Sequence, residues 1–359
     1  MNHATEAVIA RAAGFLIAQA AEDFSEVRHT MIFPRAAGFS AVNETQSSDV
    51  FARAVLGSVL AEIAEMTPAS AGEWQALARR EADHVAASRL TTSAGGWSYF
   101  ANLPELPPDV DSLGAALELF VRAAPERIAL CDDPIELALA GQNDVGSVET
   151  WIIPETDDTL RRERMRVGVE HYWGSDRAVD VCARFFRALT LRNVDRDRPA
   201  INAGAKFVIG SQRDDGAWNG SWYSGLLYTT ALCTDLMKTR TTDGEVPIAR
   251  AIEFVCKTQR DDGGWGELKS LPLDTAMALW ILGDARESKV LAAILRGLDW
   301  LRTAQKRAGY WMPSPWIRME VGRAQGHVSH TLHYQSVTLT TAFCMRTLLH
   351  FGKSFDESP

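Results

Sequence analysis

The sequence predicts an all-α protein, an (α/α)6 barrel in which six helical hairpins close into a toroid. The main observation is a pattern, Gln-x-x-x-Gly-x-Trp, that occurs three times between segments of helical periodicity. The copies begin at Gln212, Gln259 and Gln305, and their Trp residues recur at intervals of 47 and 46 residues. A near-constant period of this length is typical of helical repeat arrays.

Each Gln-Gly-Trp segment is expected to form the turn between two helices of one hairpin. In the fifth repeat, 248–258 have helical periodicity, Asp and Gly at 261–264 interrupt it, and a second helix is expected over 275–282. Asp274 is the expected N-cap of that second helix. The Gln amide can satisfy free backbone groups at helix ends, and the Trp ring can cover the turn.

Weaker copies upstream extend the array to six hairpins. In one copy, Gln142 and Gly146 are present but Val148 replaces the Trp. In another, Gly95 and Trp97 are present but the Gln is absent. The first hairpin is expected from helices over 4–20 and 49–63. We therefore predict one barrel domain over 1–359, with hairpins at approximately 1–66, 67–126, 127–192, 193–239, 240–286 and 287–353. Two long connections, 151–178 and 312–332, are either lids over a central cavity or ordinary solvated segments.

The overall composition excludes some classes of function. The chain has 359 residues, is 46% hydrophobic and carries a net charge of −9, which supports a full core and argues against a nucleic-acid-binding protein. The five cysteines form no CxxC pair, which favours reduced thiols and a cytoplasmic location. The N-terminal stretch does not resemble a signal peptide, and no apolar run is predicted to span a bilayer. Peripheral membrane contact stays open.

The repeats resemble the QW motifs of squalene-hopene and oxidosqualene cyclases. More broadly, they resemble the prenyltransferase and squalene-cyclase superfamily, which includes class II diterpene cyclases and protein prenyltransferase β subunits. The resemblance spans the chain as repeats and is sharpest from about Gly95 to Tyr228. The motif is specific for the fold and weak for the chemistry, because proteins that are not cyclases share it.

A candidate acid motif follows from this resemblance. Asp109-Val110-Asp111-Ser112 is similar to the Asp-x-Asp-Asp motif of class II cyclases, whose middle Asp protonates an alkene or epoxide. The resemblance places Asp111 at the catalytic position and Asp109 at the first position. Ser112 replaces the last Asp, where oxidosqualene cyclases also have a non-acidic residue.

Two further segments are similar to cyclase segments. In 215–222, which resembles Asp-Gly-Ser-Trp-x-Gly-x-Trp, Trp222 matches an active-site aromatic residue, and Tyr228 matches a Tyr near the acid. In 180–184, which resembles Asp-Val-Thr-Ala-His, Asp180 is retained. Arg184 falls where squalene-hopene cyclases have the His that hydrogen-bonds the acid.

Protonation of an alkene requires an unusually strong acid in a dry pocket, and walls that stabilise a cation without attacking it. Trp and Tyr faces do this through cation–π attraction, worth roughly 2 kcal/mol each when desolvated. The candidate rings are Trp97, Tyr99, Phe100, Phe185, Trp222, Tyr228, Trp280 and Tyr334. For each ring, the alternative interpretation is ordinary core packing. Four acids are expected at the starts of inner helices, and for them the alternative is N-capping. They are Asp49, Asp111, Asp180 and Asp274.

Arg184 is the main departure from the family pattern. A fixed cation beside Asp111 would lower the pKa of its carboxyl and leave it ionised. Arg184 could instead pair with Asp180, four residues earlier, or bind an anionic group of the substrate. The second helical domain of the larger cyclases is also missing. The cavity would have to be closed by the long connections, by a homodimer or by another protein.

No metal site is expected. Asp132, Asp133 and Glu136 spell a DDxxE motif, but Pro134 favours a helix start. Asp180 and Cys182 resemble part of a prenyltransferase zinc set, although His330 and His333 lie three repeats away. We interpret His327, His330 and His333 as loop and cap residues.

The sequence therefore predicts a class II-type terpene cyclase acting on a linear or prenylated isoprenoid. Asp111 is its acid, and Asp109 and Tyr228 support it. No cofactor is expected, although Mg²⁺ could accompany a diphosphate substrate. Two alternatives remain: a non-catalytic isoprenoid- or lipid-binding module, and a zinc-dependent prenyltransferase-like protein.

Overall fold

The described helices pair into successive antiparallel hairpins. The structure is a computed structural model that describes residues 3–91, 94–153, 158–239, 244–283, 285, 287–328 and 330–356. Outer helices are α1 (His3–Ala21), α3 (Ala71–Ala87), α5 (Asp132–Ala140), α8 (Arg198–Gly210), α10 (Glu245–Thr258) and α12 (Ser288–Ala304). Inner helices are α2 (Val50–Met66), α4 (Val110–Ala123), α7 (Val179–Asn193), α9 (Leu227–Lys238), α11 (Pro272–Leu282) and α13 (Val337–Asp356).

The inner helices form a closed ring. Each packs against the next along the chain, and α13 packs back against α2. Their sequences explain this position, because they are apolar around most of their circumference: every residue from Phe51 to Ala64 of α2 is buried. The outer helices bury one face only; in α8, for example, Ile201, Ala205 and Val208 are buried. The all-α toroid predicted from the repeat pattern is confirmed.

The Gln of each motif ties its own turn to the following outer helix. Gln212 Nε2 donates to Gly216 O at 2.8 Å and to Pro247 O of α10 at 2.9 Å. Gln142 and Gln259 make equivalent pairs of bonds. Gln305 Nε2 donates to Gly309 O and to Val8 O of α1, so the last motif joins the end of the array to its beginning.

The Gly and Trp of the motif complete the turn. Gly309 has φ +92°, and a Cβ there would lie 2.2 Å from Arg11 O, so only glycine allows this approach to α1. The buried Trp311 indole donates to Leu301 O at 2.7 Å, and the other motif Trp residues make the same bond to their own outer helices. The motif therefore joins neighbouring hairpins and is structural.

The structure corrects three details of the sequence-based prediction. Asp274 lies within the first turn of α11 and is not its N-cap, because the helix begins at Pro272 and is preceded by Leu271. His333, and the backbone of His330, belong to a strand and not to a loop. Helix α1 is long and apolar enough by length and composition to cross a membrane, contrary to expectation. Its buried residues, including Val8, Ala12 and Leu16, belong to the core of the toroid.

Three insertions cover one end of the ring. Between α1 and α2 lies a hairpin of β1 (His29–Ile32) and β2 (Thr45–Ser48). Between α5 and α7 lie α6 (Thr159–Gly168) and one π-helical turn (Val169–Trp173). Between α12 and α13 lies a hairpin of β3 (Ile317–Val321) and β4 (His330–Tyr334). We call these three segments the lids. The second and third fall in the two long connections, and the first is not anticipated by the sequence pattern.

Replacing the ring-closing glutamine is expected to destabilise the protein. Gln305→Ala removes both donors to the Val8 and Gly309 carbonyls and the acceptor for Arg11. We expect a loss of about 1–3 kcal/mol in the free energy of unfolding, measured by urea denaturation. Gln335→Ala, at an exposed position, is the matched control. Equal stability of the two variants would contradict a role for Gln305 in closing the ring.

Candidate active site

The covered end of the ring contains a cavity of about 570 Å³. Its wall is mainly apolar and aromatic, with contributions from the inner helices and from all three lids. The rings that line it include Phe51, Tyr99, Phe100, Trp151, Trp222 and Tyr223. Two carboxyls, Asp109 and Asp111, belong to the same wall. A dry aromatic cavity with few polar groups is a typical small-molecule site.

Asp109 is the N-cap of α4. Its Oδ1 accepts from Ser112 N at 2.6 Å, and its Oδ2 accepts from Ser112 Oγ at 2.9 Å. Burial raises the pKa of Asp109 to about 7, because the charged form loses its hydration, although the two Ser112 bonds oppose this shift. Ser112 thus serves as a capping partner of Asp109.

Asp111 lies in the first turn of α4, and both of its oxygens accept hydrogen bonds. Arg184 Nε donates to Oδ1 at 2.9 Å, and the Tyr223 hydroxyl donates to Oδ2 at 2.5 Å. Burial raises the pKa of Asp111 above its usual value, although Arg184 and Tyr223 act in the opposite direction. Burial thus opposes ionisation of Asp111, while two donors are in place for its carboxylate form.

Arg184 is buried behind Asp111, on the side away from the cavity. Its Nη2 donates to the hydroxyls of Tyr223 at 3.2 Å and Tyr228 at 3.0 Å, and its Nη1 lies 3.6 Å from Glu118 Oε2. The suggested pairing of Arg184 with Asp180 is wrong. Arg184 instead pairs with Asp111, because α4 and α7 are neighbours in the ring. Tyr228 reaches Asp111 through Arg184, whereas Tyr223, which the sequence reasoning missed, contacts it directly.

Asp180 positions the segment that follows α8. Its Oδ2 accepts from Ser221 N at 2.8 Å and from Trp222 N at 2.9 Å. Gly220 is required nearby, since a Cβ there would lie 2.1 Å from Thr229 Oγ1. Burial raises the pKa of Asp180 to about 6. This fully buried carboxyl does not line the cavity but holds the backbone of Trp222, whose ring does.

The structure brings only some of the candidate rings to the cavity. Tyr99, Phe100 and Trp222 line it. Trp97 is fully buried beside its turn, where its indole donates to Val85 O at 2.7 Å. Phe185 is also fully buried and is a core residue. These last two rings are part of the packing between helices, and their assignment to the cavity is wrong.

Two further candidates also lie outside the cavity wall. Trp280 lies towards the other end of the ring, where its indole bonds to Asp235 and its ring stacks under Arg346 at 3.7 Å. Tyr334 is buried and donates its hydroxyl to Val27 O at 2.5 Å. Tyr334 therefore fixes the start of the first lid instead of facing the cavity.

The rings that sequence reasoning missed come from lids and from neighbours of known candidates. Phe51 lies in the first turn of α2, Trp151 begins the first long connection, and Tyr223 directly follows Trp222. Only Tyr223 had a local signal, since it directly follows the segment that resembles a cyclase motif. The others depend on which lids fold over the ring, which no repeat pattern specifies.

The residues considered for zinc do not converge. Asp180 accepts backbone N–H groups, Cys182 Sγ donates to Val148 O, and His333 Nδ1 lies 2.8 Å from Ser224 Oγ. Within the described ranges, no group of three or more His, Cys, Asp or Glu side chains could hold a metal ion. In the DDxxE segment, Asp132 is paired with Arg192 and Arg196. This geometry does not fit either metal interpretation of the sequence.

Comparison with known proteins gives a family match. The model of the squalene-hopene cyclase C-terminal domain family matches residues 61–323. No curated protein sequence matches at a significant level.

Solved structures show the same fold. The type II terpene cyclase MstE from Scytonema is 19% identical, with a TM-score of 0.71, and the match covers 98% of this chain and 100% of that one. A variant of MstE solved in complex with geranylgeranyl dihydroxybenzoate, its substrate, gives a TM-score of 0.70 at 19% identity, over 98% of both chains. The ent-copalyl diphosphate synthase from Streptomyces platensis is 18% identical, with a TM-score of 0.58, over 86% of this chain and 52% of that one.

The raised pKa of Asp109 predicts a pH-dependent stability. Because the folded-state pKa of about 7 lies above the unfolded value near 3.8, the folded state retains a proton that the unfolded state loses. The resulting stabilisation is complete below about pH 4 and is lost as the pH rises towards 7. Asp109→Asn keeps a side-chain oxygen for Ser112 N and cannot ionise. We expect the free energy of unfolding of the parent to fall by roughly 2–4 kcal/mol relative to the variant between pH 4.5 and 8. The free energy of unfolding of both proteins is measured by urea denaturation at each pH. If the two pH profiles are parallel, the raised pKa of Asp109 is refuted.

Proposed function

Because the chain belongs to the squalene-hopene cyclase C-terminal domain family, we propose that it is a class II-type terpene cyclase. Its reaction is the proton-initiated cyclisation of an isoprenoid chain held in the aromatic cavity. The observation that carries this proposal is Asp111, a buried carboxyl in the cavity wall whose two oxygens already accept hydrogen bonds from Arg184 and Tyr223.

In the first step, the Asp111 carboxyl transfers its proton to an alkene carbon of the substrate. The π electrons of the double bond form the new C–H bond, a tertiary cation forms at the neighbouring carbon, and Asp111 becomes a carboxylate. Arg184 and Tyr223 stabilise that carboxylate without moving, since both donors are already within hydrogen-bond distance. Proton transfer requires a protonated Asp111; burial favours that form, and these donors make the acid strong.

The later steps need a surface that stabilises a migrating cation and excludes water. Tyr99, Phe100 and Trp222 supply aromatic faces for this purpose, each worth roughly 2 kcal/mol when desolvated. Further double bonds then attack the cation in turn and close the rings. Transfer of a different proton from the last cation to water gives a product that is isomeric with the substrate, and uptake of a proton from water returns the Asp111 carboxylate to its acid form.

The protein groups named above supply the proton, so this step needs no cofactor. Mg²⁺ would accompany the reaction only if the substrate carried a diphosphate. The lids cover the end of the ring that contains the cavity. The substrate bound by the related cyclase, geranylgeranyl dihydroxybenzoate, supports a prenylated small molecule as the substrate class.

The acid assignment is tested by Asp111→Asn. We expect purified parent protein to convert at least one member of a panel of C10 to C30 isoprenoids, with alcohol, diphosphate, epoxide or aryl heads, into an isomeric product. Gas and liquid chromatography–mass spectrometry would detect the product. Asp111→Asn should reduce turnover by at least about 10³-fold, because an amide cannot donate a proton of this acidity.

Asp133→Asn, an exposed aspartate of α5, is the control and should keep full activity. Cyclisation by Asp111→Asn at the parental rate would rule out Asp111 as the acid. Binding of a prenyl chain, seen as a change in Trp fluorescence, without turnover by the parent would favour the binding-module alternative.

The two tyrosines near Asp111 should differ in their effect. Tyr223→Phe removes a donor that contacts the forming carboxylate, and we expect kcat to fall on the order of 10- to 100-fold with little change in KM. Tyr228→Phe removes only an acceptor of Arg184, so its kcat should fall by less than about tenfold. Steady-state kinetics on the best substrate would decide. A larger effect of Tyr228→Phe would reverse the assigned roles.

A further inference from the structure

The cavity is closed at one end and open at the other. Asp109 and Asp111 lie at the buried end, while Ile32, Gln325 and Leu332 of the lids line the cavity and are exposed. If Asp111 protonates the terminal alkene of a prenyl chain, the chain enters with that end first. The opposite end of the substrate, its head group, then remains at the exposed mouth between the lids.

The charges of the wall are all of one sign. The described residues that line the cavity include no Lys and no Arg, and their carboxyl groups are Asp109, Asp111 and Glu320. Glu320 lies on β3 at the mouth, and its side chain is 25% exposed. The basic stretch of α6 is also outside the wall.

Two arginines of the third lid are bound elsewhere. Arg323 pairs with Asp176, donates to Ser221 O at 3.3 Å and lies over the Trp222 ring at 4.7 Å. Arg318 donates to Gly220 O at 3.1 Å and lies 3.6 Å from Glu320. Both cations therefore hold the lid against the ring, and neither is among the described residues that line the cavity.

We infer that the head group accepted at this mouth is uncharged, such as an alcohol or a phenol, and that Glu320 excludes anionic heads. This inference rests on the proposed cyclase function. A diphosphate or carboxylate placed here would lose hydration without gaining a cation and would face the Glu320 carboxylate. A hydroxyl group would find hydrogen-bonding atoms on Gln325 and His171, which also line the cavity.

The test compares head groups on one prenyl chain. Geranylgeraniol and geranylgeranyl diphosphate, the latter with and without Mg²⁺, form one pair, and a geranylgeranyl phenol and its ring carboxylate form the other. Turnover by the parent protein is measured at pH 8. We expect kcat/KM for the uncharged member of each pair to exceed that for the anion by at least about tenfold.

Charge reversal at the mouth provides the matched variants. Glu320→Lys should reduce or reverse the preference by improving kcat/KM for the anions, and Glu320→Gln should produce part of this change. Glu136→Lys, an exposed acid of α5, carries the same change in net charge and should leave the preference as it is. Circular dichroism would verify that each variant is folded.

The outcomes separate this inference from the proposed function. Cyclisation with a preference for the diphosphate or the carboxylate would overturn the inference and leave the function standing. If no compound is cyclised, binding to Asp111→Asn is measured by Trp fluorescence. Tighter binding of the uncharged member of each pair would support the inference even though no cyclisation is seen. Equal or tighter binding of the anions would overturn it, and so would the absence of binding.

Discussion

The contact between Arg184 and Asp111 is the interaction on which the site depends. An acid that protonates an alkene must be protonated at rest and must also lose its proton readily, and a single environment rarely favours both. Here burial favours the neutral carboxyl, while the guanidinium and the Tyr223 hydroxyl favour the carboxylate. In the proposed reaction, the first effect favours the acid form before proton transfer, and the second lowers the energy of the carboxylate that follows it. The cation that made the sequence difficult to interpret would therefore strengthen the acid.

The charges behind Arg184 support this balance. Towards the other end of the ring, four arginines contact three carboxylates in a buried network of Arg122, Arg184, Arg187, Arg346, Glu62, Glu118 and Asp235. Arg122 also pairs with Glu65, so these four arginines face four carboxylates before Asp111 is counted. The pKa of Glu62 is lowered to about 2, against its burial, by the arginines around it. The inner ring thus holds the Arg184 guanidinium next to the acid and pairs the other charges of the network among themselves.

The repeat pattern predicted the fold well, because it arises from local backbone constraints. A glutamine that must reach two carbonyls, a glycine with positive φ and a buried indole recur wherever one hairpin meets the next. Asp111 and Arg184 were both identified as candidates, since each lies in a segment that resembles a cyclase motif, but the sequence did not show how the two side chains would interact. Two of the three lids were marked only as long connections, the first was not anticipated, and the residues of the cavity wall could not be predicted without the fold of all three. Trp97, Trp280 and Tyr334 were wrongly assigned to the wall because a buried ring beside a turn and a ring facing a cavity have the same sequence signature. Phe51 and Trp151 were missed because their exposure to the cavity depends on insertions that follow no repeat.

In the proposed reaction, the order in which charges form explains why the buried Arg184 would not repel the carbocation. Before proton transfer, Asp111 is neutral and the substrate is neutral, so Arg184 faces no cation. After transfer, the new cation in the cavity is matched by a new carboxylate that lies between it and the guanidinium. The carboxylate then screens Arg184 and attracts the cation at the same time. The aromatic wall draws the positive charge away from Asp111 as the rings close, which delays return of the proton to the carboxylate. In this arrangement the position of Arg184, behind the acid and outside the cavity wall, matters as much as its charge.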